Sequence, residues 1–173
     1  MSGLPSLGGG RSIPVLPGEL AVADCEARVD LVSHALGSCV GVVLFDPRAG
    51  VGGMLHALLP DQRSGAGSKR PPVAFADAGV PILFDELIAL GARRSRMKVA
   101  LAGGASRPGA PDHFRIARRN VLSARRALLD LGLLVDAETV GGEMARTLRL
   151  EVATGRVTVT VRGVAQVLLA PTR

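Results

Sequence analysis

The sequence predicts a single α/β domain in which mixed, largely antiparallel β-sheets pack with about two main helices. Three observations predict it. Two apolar runs, "CVGVVLFD" (39–46) and "VGGMLHALL" (51–59), are joined by the turn signal "PRAG" and read as an antiparallel hairpin. Two stretches of helical spacing occupy the middle of the chain, and the end returns to alternating strands around a Thr-Gly turn. Strand and helix alternate only in the middle third, which argues against a doubly wound parallel sheet. No G-x-G-x-x-G follows a strand to suggest a nucleotide, and no internal repeat occurs.

Taken in order, residues 1–17 are rich in Gly, Pro and Ser and are expected to form a flexible N-terminal tail. The domain is expected over 18–163, with 164–173 as a C-terminal tail. "GELAVAD" (18–24) and "ARVDLVSHAL" (27–36) alternate as strands do. The unbroken apolarity of 39–46 predicts burial on both faces. "PDQRSGAGSKRPP" (60–72) is a polar loop. In "FADAGVPILFDELIALGA", Val80, Leu83, Phe84, Leu87 and Leu90 share a helical spacing that closes at Gly91, and Pro81 belongs near the first turn. "MKVALAGGA" (97–105) is a strand running into a glycine turn. Residues 111–132 form a second helix with Ala117, Val121, Ala124, Leu128 and Leu131 on one face and Gly132 as the stop. Its arginines at 115, 118, 119, 125 and 126 read as a solvated face. "LLVDAETVG" and "RTLRLEVATGRVTVTVRG" complete the sheets.

Composition narrows the function classes. A chain of 173 residues with 47% hydrophobic content can bury a substantial core and is not disordered. The net charge is +6, carried almost wholly by arginine. There is no Trp or Tyr and only four Phe, so platforms for stacking bases are lacking and a nucleic-acid partner is not expected. The positive charge equally suits an acidic protein partner. No apolar run reaches membrane-spanning length and the first residues lack the apolar core of a signal peptide, so a cytoplasmic protein without membrane insertion is expected. Its two cysteines then read as free thiols. No metal-ligand spacing occurs, and neither a metal nor a cofactor is expected.

Cys39 opens one of the buried runs, after Gly37 and Ser38. One reading is a small apolar side chain in a core. The other is a nucleophile held on a turn. His56 in the next run lends weight to the second, because an antiparallel hairpin around 47–50 brings Cys39 and His56 to the same open end. An imidazole there takes the thiol proton. Gly37 allows close approach of backbone to substrate and a positive φ, and amides around 38–40 suit an oxyanion. A third group fixes the imidazole in such sites; Asp30 and Ser33 are candidates, with Asp46 and Asp61 further off. Cys25, His34 and His113 have no evident purpose.

The stretch "SHALGSCVGVVLFDPRAGVGGMLHALLPD" resembles the signature region of the CheD family of chemoreceptor glutamine deamidases: Thr-x-x-Leu-Gly-Ser-Cys-Val, Asp-Pro, Gly-Gly-Met-x-His and Leu-Pro in order. "FADAGVPILFDELIALGA", "LAGGA", "IARRN" and "VGGEMART" resemble its further motifs, so the likeness runs over roughly residues 20 to 162. The resemblance implies a cysteine hydrolase that converts glutamine side chains of methyl-accepting chemoreceptors to glutamate, releasing ammonia through a thioester. Cys39 matches the family nucleophile and His56 its base. The third position, a threonine in the family, falls on Ser33, which keeps the hydroxyl and loses a methyl. Ala117 and Ala145 replace family glycines, and Phe75 stands where Tyr is frequent. A positive φ at 117 or 145 would strain alanine. The resemblance also implies the CheC phosphatase as a partner, and the alternative function of a non-catalytic chemotaxis adaptor binding receptors or CheC. Methyl-ester hydrolysis at receptor glutamates would use the same thioester.

Overall fold

Every residue of the run Val40–Asp46 is buried, and its position between two other layers explains why. The computed structural model describes residues 10–63, 67–109 and 111–172. Ten strands make two five-stranded sheets: β1 (Arg11–Pro14), β2 (Leu20–Asp24), β3 (Val29–Leu36), β4 (Val40–Asp46), β5 (Val51–Ala57), β6 (Lys98–Gly103), β7 (Ala137–Val140), β8 (Arg146–Glu151), β9 (Arg156–Val161) and β10 (Val164–Leu169). The central sheet has the order β2-β5-β4-β6-β7 and the outer sheet β1-β3-β8-β9-β10. Each is antiparallel except for one parallel pair, β6 with β7 and β1 with β3. Helices α1 (Ala76–Ala89) and α2 (Pro111–Asp130) lie on the face of the central sheet away from the outer sheet.

Strand alternation divides the core in two. Val40, Val42, Leu44, Val51 and Leu55 face the helices, meeting Val80, Leu83, Leu87, Ala124 and Leu128. Val43, Phe45 and Met54 face the outer sheet, meeting Leu31, Leu36, Leu148 and Leu150. β4 is therefore apolar on both sides. Its one gap, Gly41, lets the sheets close: a Cβ there would lie 2.8 Å from a Leu148 methyl and 2.9 Å from one of Leu36.

The expected hairpin is present, with Val40 opposite Ala57 and Asp46 opposite Val51. Two segments expected as tails carry strands instead. Residues 11–14 pair in parallel with β3, and the alternation of Ile13 and Val15 that drives this is masked by neighbouring Pro and Gly. Residues 164–169 return along β9 through a tight turn at Arg162 (φ +50°) and Gly163 (φ +80°), a left-handed pair that Arg does not advertise. α1 begins at Ala76, which puts Pro81 in the second turn rather than the first, so the Asp77 carbonyl loses its helical donor. The helix ends at Ala89, and Leu90, expected on the apolar face, is 46% exposed. Among the described residues no helix is long and apolar enough to cross a membrane.

Candidate active site

Cys39 ends a turn whose three carbonyls are all occupied. Ala105 N–H donates to Gly37 O at 2.8 Å, the Asn120 side-chain amide donates to Ser38 O at 2.8 Å, and Gly104 N–H donates to Cys39 O at 2.8 Å. The "LAGGA" turn exists to deliver two of these amides. Gly103 has φ +113°, and a Cβ on it would lie 2.3 Å from Cys39 O, so no other residue allows β6 to close on the cysteine. Gly37 itself does not take a positive φ. The left-handed residue is Ala35 (φ +53°), at the irregularity where the β3–β8 register slips between Ser33 and Leu36.

Register places His56 on the same side of the sheet as the cysteine. His56 faces Gly41 across the β4–β5 pair, and Cys39 precedes Gly41 by two residues, so Cys39 and His56 project from the same face as diagonal neighbours. That face looks toward the outer sheet, where Cys39 packs at the edge of the inner core. The His56 backbone is fixed on its other side by Gly18 N–H donating to His56 O at 2.8 Å and by His56 N–H donating to Glu19 O at 2.9 Å.

The ring is held by a group absent from the sequence reading: the carbonyl of Val15. His56 Nδ1 lies 3.3 Å from Val15 O, and Ser33 Oγ donates to the same oxygen at 3.1 Å. A carbonyl only accepts, which assigns the proton to Nδ1 and leaves the Nε2 lone pair free. Nε2 is buried and has no hydrogen-bond partner among the described residues. Among the described residues Ser33, fully buried, makes no hydrogen bond to His56 but shares an acceptor with it.

Burial governs the charges. It pushes the Cys39 thiol above its ordinary value of 9.0, with its own amide N–H pulling the other way. It pushes the His56 imidazole below 6.5, against a smaller opposing effect of the Val15 carbonyl. Both shifts favour the neutral forms, and the arrangement suits a thiol that loses its proton as it attacks.

The other candidates for a third group are engaged elsewhere. Asp46 lies at the far end of β4, where the Arg96 guanidinium and the amides of Arg48, Ala49 and Arg93 hold it; although burial works against the charge, these lower its pKa to about 2. Asp30 pairs with Arg149 at 2.7 Å and Asp61 with Arg119 at 3.0 Å. Cys25 donates its N–H to Gly50 O beside the β4–β5 turn, at the opposite end of the hairpin from Cys39, and no disulfide joins the two cysteines. His34 is exposed. The side chain of His113 lies outside those described.

A cleft of about 880 Å³ opens beside the cysteine turn, with Ala35, Gly37 and Ser38 on one wall and Ser106, Arg107 and Glu143 on another. The loop carrying Glu143 is pinned from below by Arg146, a buried cation that donates to the carbonyls of Thr139, Gly141 and Met144. This accounts for the "VGGEMART" motif. Neither Ala117, buried in α2, nor Ala145 has a positive φ, so the loss of two glycines imposes no strain. Phe75 is buried just ahead of α1. Sequence reasoning assigned no role to the Val15 carbonyl or to Asn120. The first had no signal beyond Ile13–Val15 alternation; the second stood in plain view within "IARRN".

The chain matches the family model described as "CheD chemotactic sensory transduction" over residues 58–161. It is 42% identical over 142 residues to a protein of Solibacter usitatus (strain Ellin6076), covering 79% of this chain and 84% of that one. It is 39% identical over 153 residues to one of Syntrophus aciditrophicus (strain SB), covering 84% and 96%. A protein of Symbiobacterium thermophilum is 42% identical over 149 residues, covering 84% and 90%. All three are named "probable chemoreceptor glutamine deamidase CheD", the second as CheD 1. Among solved structures, Bacillus licheniformis hypothetical protein YfiH is similar at a TM-score of 0.41 and 13% identity, over 67% of this chain and 47% of that one, too distant to bear on function. Identity near 40% across most of both chains, together with the family match over 58–161, places the chain in the CheD family.

Proposed function

We propose that this protein deamidates glutamine side chains in the cytoplasmic region of methyl-accepting chemoreceptors, with Cys39 as nucleophile, His56 as general base and acid, and Ser33 as a positioning residue. The observation that carries the reading is the free Nε2 lone pair of a neutral, carbonyl-oriented His56 on the same sheet face as Cys39. The printed names of the relatives supply the substrate class.

Cys39 Sγ attacks the side-chain amide carbon while its proton passes to His56 Nε2. The resulting oxyanion faces amides of the 37–39 turn. As the C–N bond breaks, imidazolium returns the proton to the departing nitrogen, which leaves as ammonia. A γ-glutamyl thioester remains on Cys39. Neutral His56 then takes a proton from water, which adds to the thioester; the C–S bond breaks, His56 reprotonates the sulfur, and glutamate is released.

Cys39 and His56 retained together favour the enzyme over the adaptor reading. The CheC phosphatase belongs to the same proposal as a protein partner and rests on the family resemblance alone. The test is mass spectrometry of a chemoreceptor cytoplasmic fragment after incubation with the protein. A Gln-to-Glu mass increase supports the deamidase. Binding of fragment or CheC with no mass change at any glutamine supports the adaptor instead.

A further inference from the structure

Asn120 is a fully buried polar residue in the middle of α2, where asparagine is a poor helix former. Its Nδ2 donates to Ser38 O at 2.8 Å and to Leu58 O at 3.0 Å. Its Oδ1 is buried with no partner among the described residues, so the side chain is kept despite an acceptor left unmet there. Two bonds therefore define its placement: one to the residue before Cys39, one to the second residue after His56.

The bond to Ser38 O has a specific consequence. The chain has no cis peptide among the described residues, so the carbonyl of Ser38 and the N–H of Cys39 point in opposite directions within one rigid plane. A carbonyl held toward α2 turns that N–H away from the helix. The Cys39 N–H donates to no carbonyl among the described residues. The neighbouring carbonyls, Gly37 O and Cys39 O, are fixed by backbone amides of the glycine turn. The peptide between them is the one whose orientation depends on a side chain.

We propose that Asn120 positions and polarises the Ser38–Cys39 peptide so that the Cys39 amide serves as a donor to the oxyanion, while its second bond ties that peptide to the His56 strand. This rests on the deamidase reading. A donor on the carbonyl strengthens the same peptide unit as a donor through its N–H. Asn120 touches neither substrate nor sulfur, and acts through the peptide it holds.

The test separates oxyanion chemistry from folding. Wild type, Asn120→Ala, Asn120→Ser and Ala124→Gly, a buried control on the same helix, are compared by thermal unfolding and by turnover of a chemoreceptor fragment. Cys39 alkylation by iodoacetamide is followed in parallel, because that displacement needs the thiolate and builds no oxyanion. In the Asn120 variants kcat should fall on the order of 10²-fold, as for removal of one oxyanion donor. KM should stay within about threefold, and alkylation at a fixed pH within about threefold. Ala124→Gly should lower the unfolding temperature and keep its kcat. Unchanged kcat in folded Asn120 variants overturns the proposal, as does alkylation that falls in step with kcat. Loss of the folded state in both Asn120 variants assigns the bonds to the fold and also overturns it. No turnover by wild type is a different failure, that of the deamidase reading itself.

Discussion

Ser33 and His56 are joined through an oxygen that belongs to neither: Ser33 Oγ and His56 Nδ1 both donate to the carbonyl of Val15, at 3.1 and 3.3 Å. A backbone carbonyl thus fixes the imidazole, and the hydroxyl fixes the carbonyl. Ser33→Ala removes a supporting bond and leaves the orienting one. A neutral hydrogen bond is worth about 1 kcal/mol, so kcat should fall by roughly tenfold or less. His56→Ala removes the proposed base and should cost on the order of 10⁴-fold. Ser33→Thr, which restores the family residue, should keep wild-type rates. Steady-state kinetics on a receptor fragment checks this, and a Ser33→Ala loss as deep as that of His56→Ala would show a direct contact with the ring.

The neutral state of the pair fixes the pH profile. His56 titrates below 6.5, so kcat/KM should rise with pH through a midpoint below that value and then level as the base becomes neutral. The Cys39 thiol ionises above 9.0, so alkylation by iodoacetamide should climb steadily through neutral pH and level only above 9.0. A flat alkylation rate between the two values would reveal a thiolate–imidazolium pair and contradict the neutral one.

Asp46 sets acid stability rather than activity. Its carboxyl is fully buried against Arg96 and titrates at about 2 in the fold, against 3.8 unfolded. The folded value is the lower one, so the stabilisation is present above pH 3.8 and is lost as pH falls toward 2. The shift corresponds to about 2 kcal/mol. Denaturant unfolding from pH 5 to 2 should show that loss in wild type and a flatter acid limb in Asp46→Asn.

Two glycines near the cysteine should respond oppositely to alanine. Gly103→Ala puts a Cβ 2.3 Å from Cys39 O at φ +113°, and should lower both the unfolding temperature and kcat. A Cβ on Gly37 meets nothing within 4 Å and projects at the cleft. Gly37→Ala should leave the unfolding temperature unchanged and raise KM by roughly three- to tenfold. Thermal melts with kinetics on both variants decide it.

The hairpin carrying Cys39 and His56 was legible because its signals are local: unbroken apolarity for a strand buried on both faces, a Pro-Arg-Ala-Gly turn, and a register that follows from them. The helices were legible from spacing, apart from Leu90, whose exposure depends on where α1 stops. What escaped depends on contacts distant in sequence. β1 is short, bordered by Pro and Gly, and held by pairing with β3, so the Val15 carbonyl lay hidden in an expected tail. β10 follows a left-handed Arg162-Gly163 turn that composition does not announce. Backbone acceptors carry no sequence letter of their own. The hydroxyl at Ser33 could therefore be named from a motif, and the oxygen it binds could not.

The central claim is that Cys39 carries the glutamyl group. The direct measurement is acid quenching of wild type and Cys39→Ala during turnover of a chemoreceptor fragment, followed by intact-mass analysis of the mixture. Because the acyl group belongs to the receptor, the intermediate is a receptor–enzyme conjugate joined by a thioester. Wild type should give that conjugate, hydroxylamine should cleave it, and Cys39→Ala should form neither conjugate nor glutamate. Glutamate formation by Cys39→Ala would contradict the account.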